Sequence, residues 1–119
     1  MRSERQIQRF EDILDNIARI ERFTAGMDFQ AFSADEQVTF AVLHALLILS
    51  EAARRLGIDA ETRAPDQPWQ AIRSLGNVLR HQYEGVDIGV IWHVVADDLP
   101  ALKQAVQKAL IELRSGHGG

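Results

Sequence analysis

The sequence predicts an all-α fold, a bundle of four to five helices running up and down in antiparallel order. Three observations lead there. Apolar residues recur at three-and-four spacing through most of the chain, no segment alternates with period two between hairpin turns, and cap or stop residues fall between the periodic stretches. At 119 residues, 46% hydrophobic and 25% charged, the chain reads as one domain with a core large enough to hold itself together.

The first helix spans about 3–23, where Ile7, Phe10, Ile13, Leu14, Ile17 and Ile20 form one face and arginines and glutamates the other. Thr24 to Met27 break the pattern. Ser33, with Glu36 three residues on, has the spacing of a capping box and opens the second helix. Its stretch from Phe40 to Leu49 is apolar almost all round, which marks the central helix, and Gly57 stops it. Residues 57–67 have loop chemistry. Pro68 opens a third helix carrying Trp69, Ile72, Leu75, Val78 and Leu79 to about His81. Asp87 caps a short fourth helix, and Asp97 or Asp98 ahead of Pro100 restarts the chain as a fifth. The tail SGHGG, 115–119, is expected to fray.

The charge arithmetic, 13 cations against 17 anions, gives −4 and argues against sequence-blind coating of nucleic acid, which relies on many phosphate neutralisations. A small basic cleft remains compatible with it. Eleven of the thirteen cations are arginines, whose planar forks suit phosphate. No cysteine is present, so disulfides, thiolate metal sites and cysteine nucleophiles are excluded. The opening MRSERQIQRF lacks the apolar region of a secretory signal, and no apolar run approaches the ~18 residues of a membrane span. A cytoplasmic protein without membrane contact is the expectation.

One stretch looks chemical: Arg73 to Asp87, RSLGNVLRHQYEGVD. With successive residues about 100° apart, Arg73, Asn77, Arg80 and His81 share one helix face, opposite Ile72, Leu75, Val78 and Leu79. An imidazole flanked by guanidinium and a phenol is what proton transfer beside a phosphodiester needs, and no metal is required for it. The competing reading is a solvated face, with His81 a helix-terminal cation favoured by the dipole.

The blocks IERFTAG at 20–26, DF and AF within 28–32, SEAARRL at 50–56, PDQPWQAI at 65–72, NVLRHQYEGVD at 77–87, and IW with DLPALK within 91–103 cover nearly the whole chain in order. In these the sequence resembles the HepT-like HEPN family. The resemblance implies a single HEPN-type domain over 1–119 that forms a homodimer, with two copies of an arginine–polar–histidine motif building one cleft. It implies a metal-independent, cofactor-free ribonuclease, the toxin of a toxin–antitoxin pair whose antitoxin is a MntA-like minimal nucleotidyltransferase. RNA is then the substrate, cut by attack of the ribose 2′-hydroxyl. By this resemblance His81 is the catalytic histidine and Asn77 the polar, substrate-positioning residue. Tyr83 is a substrate contact and the target of nucleotidylation by the partner.

The motif arginine departs from the pattern, because the residue five before His81 is Gly76. Arg80 or Arg73 then has to stabilise the phosphate from a neighbouring position. Ala45, where the family often shows a polar residue, is a second departure. Both point towards weakened or absent nuclease activity, and the alternative is a catalytically eroded HEPN subunit that binds a nucleotidyltransferase. Restoring the side chain with Gly76→Arg is expected to separate the two.

Other candidates carry plainer expectations. His44 is expected in the core or an interface, His93 at the surface, His117 in the tail, and Trp69 and Trp92 as core anchors. Glu51 is a candidate for orienting a cleft residue. Arg2, Arg5 and Arg9 either extend a phosphate track or solubilise the first helix, and solubilising is the expectation.

Overall fold

The computed structural model describes residues 2–117. Its helices are α1 (Arg2–Thr24), α2 (Phe29–Ala34), α3 (Glu36–Leu56), α4 (Ile58–Arg63), α5 (Trp69–His81), α6 (Ile88–His93) and α7 (Leu99–His117). A 3₁₀ turn at Tyr83–Gly85 follows α5, and a π turn at Val94–Asp98 joins α6 to α7 without a break. Four rods result: α1, α3, α5 and the continuous α6–α7. No strand occurs among the described residues.

Cross-links between distant residues give the directions. Arg2 at the start of α1 pairs with Asp59 beyond the end of α3, so those rods are antiparallel. Arg73 and Arg80 along α5 reach Ala53 and Glu51 of α3 in reverse order, so α5 runs against α3. Lys103 and Arg114 of α7 pair with Glu21 and Glu11 of α1, which sets α7 against α1. Up-and-down order therefore holds. The core is filled by Phe10, Ile13, Ile17 and Ile20 of α1 against Val42, Leu46 and Leu49 of α3, with Leu79, Ile91 and Val106 closing it.

Trp69 is buried, meets Phe10 edge-on at 6.5 Å, and donates its indole N–H to the Ala64 carbonyl at 2.8 Å. Trp92 is only half-buried, packed on Phe32 with centroids 5.0 Å apart, and so anchors the α2–α6 contact rather than the centre.

Several boundaries differ from the sequence expectation. The N-cap of α3 is Asp35, whose carboxylate accepts from the Val38 N–H at 3.0 Å, while Ser33 lies inside α2. Asp28 caps α2 in the same way, and six residues are too few for periodicity to show. Residues 58–63, expected as loop, form α4, which has no side-chain cap and is held by burial of Ala60 and by Arg73. The chain does not restart at Asp97 or Asp98. Pro100 has no N–H and crowds the preceding turn, and widening that turn to π geometry, with Leu99 N–H reaching the Val94 carbonyl, carries the helix past it. At the other end α7 continues through His117, and residues 118–119 of the expected tail lie outside the described residues.

α3 needs a second correction. It is long and apolar enough to cross a membrane by length and composition, contrary to the expectation that no run comes near, yet half of its most apolar stretch is buried inside the bundle. The other side is uncovered: Phe40 is 49% and Ile48 38% exposed, and His44 between them is exposed rather than in the core.

Candidate functional site

α5 lies so close to α3 that a Cβ on Gly76 would sit 2.0 Å from Ser50 Oγ and 2.5 Å from Ser50 Cβ. Ser50 cannot simply turn away, since its hydroxyl is buried and donates to the Leu47 carbonyl at 2.8 Å. The position that departs from the family motif is therefore the crossing point of two helices. An arginine there would have to part them, so Gly76→Arg tests packing before it tests chemistry. Ala45 is likewise buried in the core.

With Gly76 against α3, the wheel sends Arg73, Arg80 and Asn77 to one flank of α5, Leu75 to the opposite flank, and His81 and Val78 outward. Arg73 is tied into the fold. Its guanidinium is bidentate to Glu61 at 2.8 Å for each bond, donates to the Gly57 carbonyl at 2.8 Å and to the Ala53 carbonyl at 3.3 Å, and is only 20% exposed. That bond set makes Arg73 the staple joining α5 to α4 and to the end of α3. The hydrogen bond and charge of Arg73 hold the Glu61 carboxyl below its ordinary range.

Arg80 is different. Its side chain is 39% exposed and held by one contact, Nη1 to Glu51 Oε2 at 2.9 Å. Glu51 also accepts from Arg54, and Arg55 Nε lies 3.5 Å from its Oε1. The Arg54 hydrogen bond, with the charges of Arg54, Arg80 and Arg55, brings the Glu51 carboxyl down to about 2 against a partial desolvation that opposes it. One carboxylate thus organises three guanidinium groups. The cleft beside it, about 590 Å³, is lined by Arg9, Arg55 and Arg80.

His81 ends α5 exposed, next in sequence to Arg80, and Asn77 is exposed one turn earlier. Tyr83 follows in the 3₁₀ turn. Its ring stacks on Phe40 at 5.8 Å with planes 11° apart, and its hydroxyl donates to the Phe40 carbonyl at 3.1 Å. Burial raises the phenol above its ordinary value. Asn77, Arg80, His81 and Tyr83 therefore belong to the last turns of α5 and the 3₁₀ turn after it, and Arg73 stands apart. His93 is exposed, its Nδ1 2.7 Å from an Asp97 carboxylate oxygen, away from this group.

Sequence reasoning named Glu51 as a candidate for orienting a cleft residue but gave it no partner across the fold, and it missed Phe40. The run SEAARR carried half of the Glu51 signal, because Arg54 and Arg55 lie three and four residues on. Its tie to Arg80 crosses the fold and leaves no local trace. On the opposite flank of α5 a cavity of about 320 Å³ is lined by apolar groups such as Leu46, Leu75, Val78 and Leu102 and offers no cation. Of the two cavities, the one at Arg80 is the one lined by cations.

A family model described as "Ribonuclease HepT-like" matches residues 13–109. The chain is 38% identical over 98 residues to the "Probable ribonuclease HepT" of Thermococcus cleftensis, covering 82% of this chain and 89% of the relative. It is 33% identical over 106 residues to the "Putative RNase MJ1380" of Methanocaldococcus jannaschii, covering 88% and 97%. A bacterial relative, the "Putative RNase TTE0752" of Caldanaerobacter subterraneus, is 28% identical over 100 residues, covering 84% and 89%. No solved structure gives a significant match.

Proposed function

Since the chain belongs to the HepT-like ribonuclease family, we propose that it is a metal-independent endoribonuclease working as a homodimer. In the same proposal it is the toxin of a pair whose antitoxin is a MntA-like minimal nucleotidyltransferase, and it acts in the cytoplasm. One observation carries the reading: an exposed imidazole, His81, follows directly on a guanidinium, Arg80, that a carboxylate holds in place.

In the proposed reaction His81 removes the proton of a ribose 2′-hydroxyl, and the oxygen attacks the adjacent phosphorus. The bond from phosphorus to the 5′-oxygen breaks, and that oxygen takes a proton from His81 of the partner subunit. The products are a 2′,3′-cyclic phosphate and a 5′-hydroxyl. Arg80 faces the non-bridging oxygens as their charge grows, which is where a fixed cation stabilises most. Asn77 positions the ribose, and Tyr83 with Phe40 gives the neighbouring base a ring to stack on. Apolar surface left uncovered on α3 around Phe40 and Ile48 supports the dimer. Nucleotidylation of Tyr83 by the antitoxin would cost the bond to the Phe40 carbonyl, so the modified ring has to leave its seat.

The test is cleavage of single-stranded RNA by purified protein in EDTA. Wild type is expected to give cyclic-phosphate ends, and His81→Ala to lose about a hundredfold or more in rate with an unchanged melting curve. Intact RNA after incubation with wild type overturns the enzyme reading. The closure of Gly76 on Ser50 favours a second reading, a non-cleaving HEPN subunit, and inert wild type that still binds a nucleotidyltransferase would establish it.

A further inference from the structure

The cleft at Arg80 does not end there. A second cleft, about 440 Å³, opens alongside it, and the two share Arg9 and Arg55 as walls. Arg2 and Arg5 line its far part. Five arginines, Arg80, Arg55, Arg9, Arg5 and Arg2, therefore follow one another along the groove between α1 and the end of α3. Three carboxylates, Glu51, Asp12 and Asp59, line the same groove, so it is cationic in a chain whose net charge is −4. Arg2 to Arg9 alone extend about 10 Å along α1.

The bonds holding these groups differ in a useful way. Arg2 is paired with Asp59, and Arg9 meets Asp12 only at 3.4 Å. Arg5 has no hydrogen bond or ion pair among the described residues. In the floor of the second cleft Gln6 is more than nine-tenths buried, and its Oε1 has no donor. Buried polar atoms are seldom left so, and rotation of this amide would present an acceptor to a hydroxyl in the cleft.

We propose that this groove is a binding track for the backbone of single-stranded RNA, leading the strand along α1 to the phosphate at Arg80. The proposal rests on the ribonuclease reading for its substrate, and reverses the expectation that Arg2, Arg5 and Arg9 only solubilise α1. Helices in contact lie about 8–10 Å apart, so the groove between them takes one strand and not a duplex. Arginine forks bind each phosphate through two parallel bonds and read no base. Long substrates gain affinity from the track and short ones do not.

The experiment measures anisotropy of fluorescein-labelled oligouridylate, about a dozen or about four nucleotides long, on the His81→Ala protein across a salt series. Adding Arg5→Ala and Arg9→Ala is expected to weaken the long probe about tenfold, leave the short probe little changed, and reduce the slope of log affinity against log salt by about 1.4. Arg5→Lys with Arg9→Lys keeps the charge and most of the slope. Arg22→Ala with Lys108→Ala removes two cations elsewhere and is expected to do much less. An unchanged slope, or an equal loss in that control, overturns the track. Cleavage plays no part in this assay, so an inert wild type with a falling slope sinks the nuclease and keeps the track, while an active wild type with an unchanged slope does the reverse.

Discussion

Arg73 and Arg80 stand seven residues apart on one helix, about 20° apart on its wheel. Sequence makes them near equivalents. The structure gives Arg73 a carboxylate and two backbone carbonyls at the α3–α4 corner, and gives Arg80 a single carboxylate at the mouth of a cleft. A guanidinium with that set of partners cannot leave them for a phosphate without exposing a cost in the fold. One with a shared, solvent-facing partner can exchange it. The two residues thus separate the part of α5 that builds the bundle from the part that can act.

The largest expected effects break this pair apart. Arg80→Ala is expected to lower RNA cleavage by about 10²–10³ while leaving the melting temperature close to wild type. Arg73→Ala is expected to cost about 2 to 3 kcal/mol, because it strands Glu61 and two carbonyls together, and to lower the melting temperature by several degrees. Its rate at a temperature where it is folded should stay near wild type. Steady-state cleavage beside thermal melts checks both, and a folded Arg73→Ala protein as slow as Arg80→Ala would merge the two roles.

Next in size is the crossing point between them. Gly76→Ala gains helix propensity but drives a methyl into Ser50, and a net loss of about 1 to 2 kcal/mol is expected. Ser50→Gly leaves only its Cα, 3.8 Å from the new Cβ, so the double variant should recover most of the loss. A urea-denaturation cycle on the four proteins measures the coupling, and purely additive effects would mean that the helices do not meet there.

How far the sequence carried this can be seen on the same helix. Its periodicity placed the apolar flank and the polar face, and Asp87 and Gly57 marked their boundaries, because those signals are local. The split between Arg73 and Arg80 was hidden, since it depends on Glu61 and Glu51, twelve and twenty-nine residues away. Gly76 read as a lost arginine because an alignment of motifs says nothing of what faces a position. α2 and α4 escaped because six residues carry too few turns for a pattern, whereas the equally short α6 runs on into the π turn and α7 and so shows one. The π turn escaped because a proline signals a stop more strongly than a detour.

Smaller effects sharpen the comparison through Glu51. Its carboxyl titrates at about 2 in the folded chain, below the ordinary value of 4.5, so its contribution to stability is whole above pH 4.5 and is lost as the pH falls towards 2. Glu51→Gln is expected to flatten the melting temperature against pH in that window alone. It should slow cleavage by about tenfold or less, since an amide oxygen still meets one arm of Arg80. An acid limb as steep as that of wild type would show that Glu51 does not hold the arginines together in solution.

The smallest effect falls at Tyr83. Tyr83→Phe removes the donor to the Phe40 carbonyl but keeps the stacked ring, so about 1 kcal/mol of stability is expected to go, with base stacking and RNA cleavage little altered. Any nucleotidylation of wild type should vanish in the variant, since no oxygen remains to accept the group. Mass spectrometry after incubation with a nucleotidyltransferase and ATP reads the modification, and cleavage of the same samples reads the activity. Label persisting on Tyr83→Phe would move the modification to another residue. Loss of cleavage in unmodified Tyr83→Phe would place the hydroxyl itself in the reaction, joining Tyr83 to Arg80 on the acting side of the helix rather than to its wall.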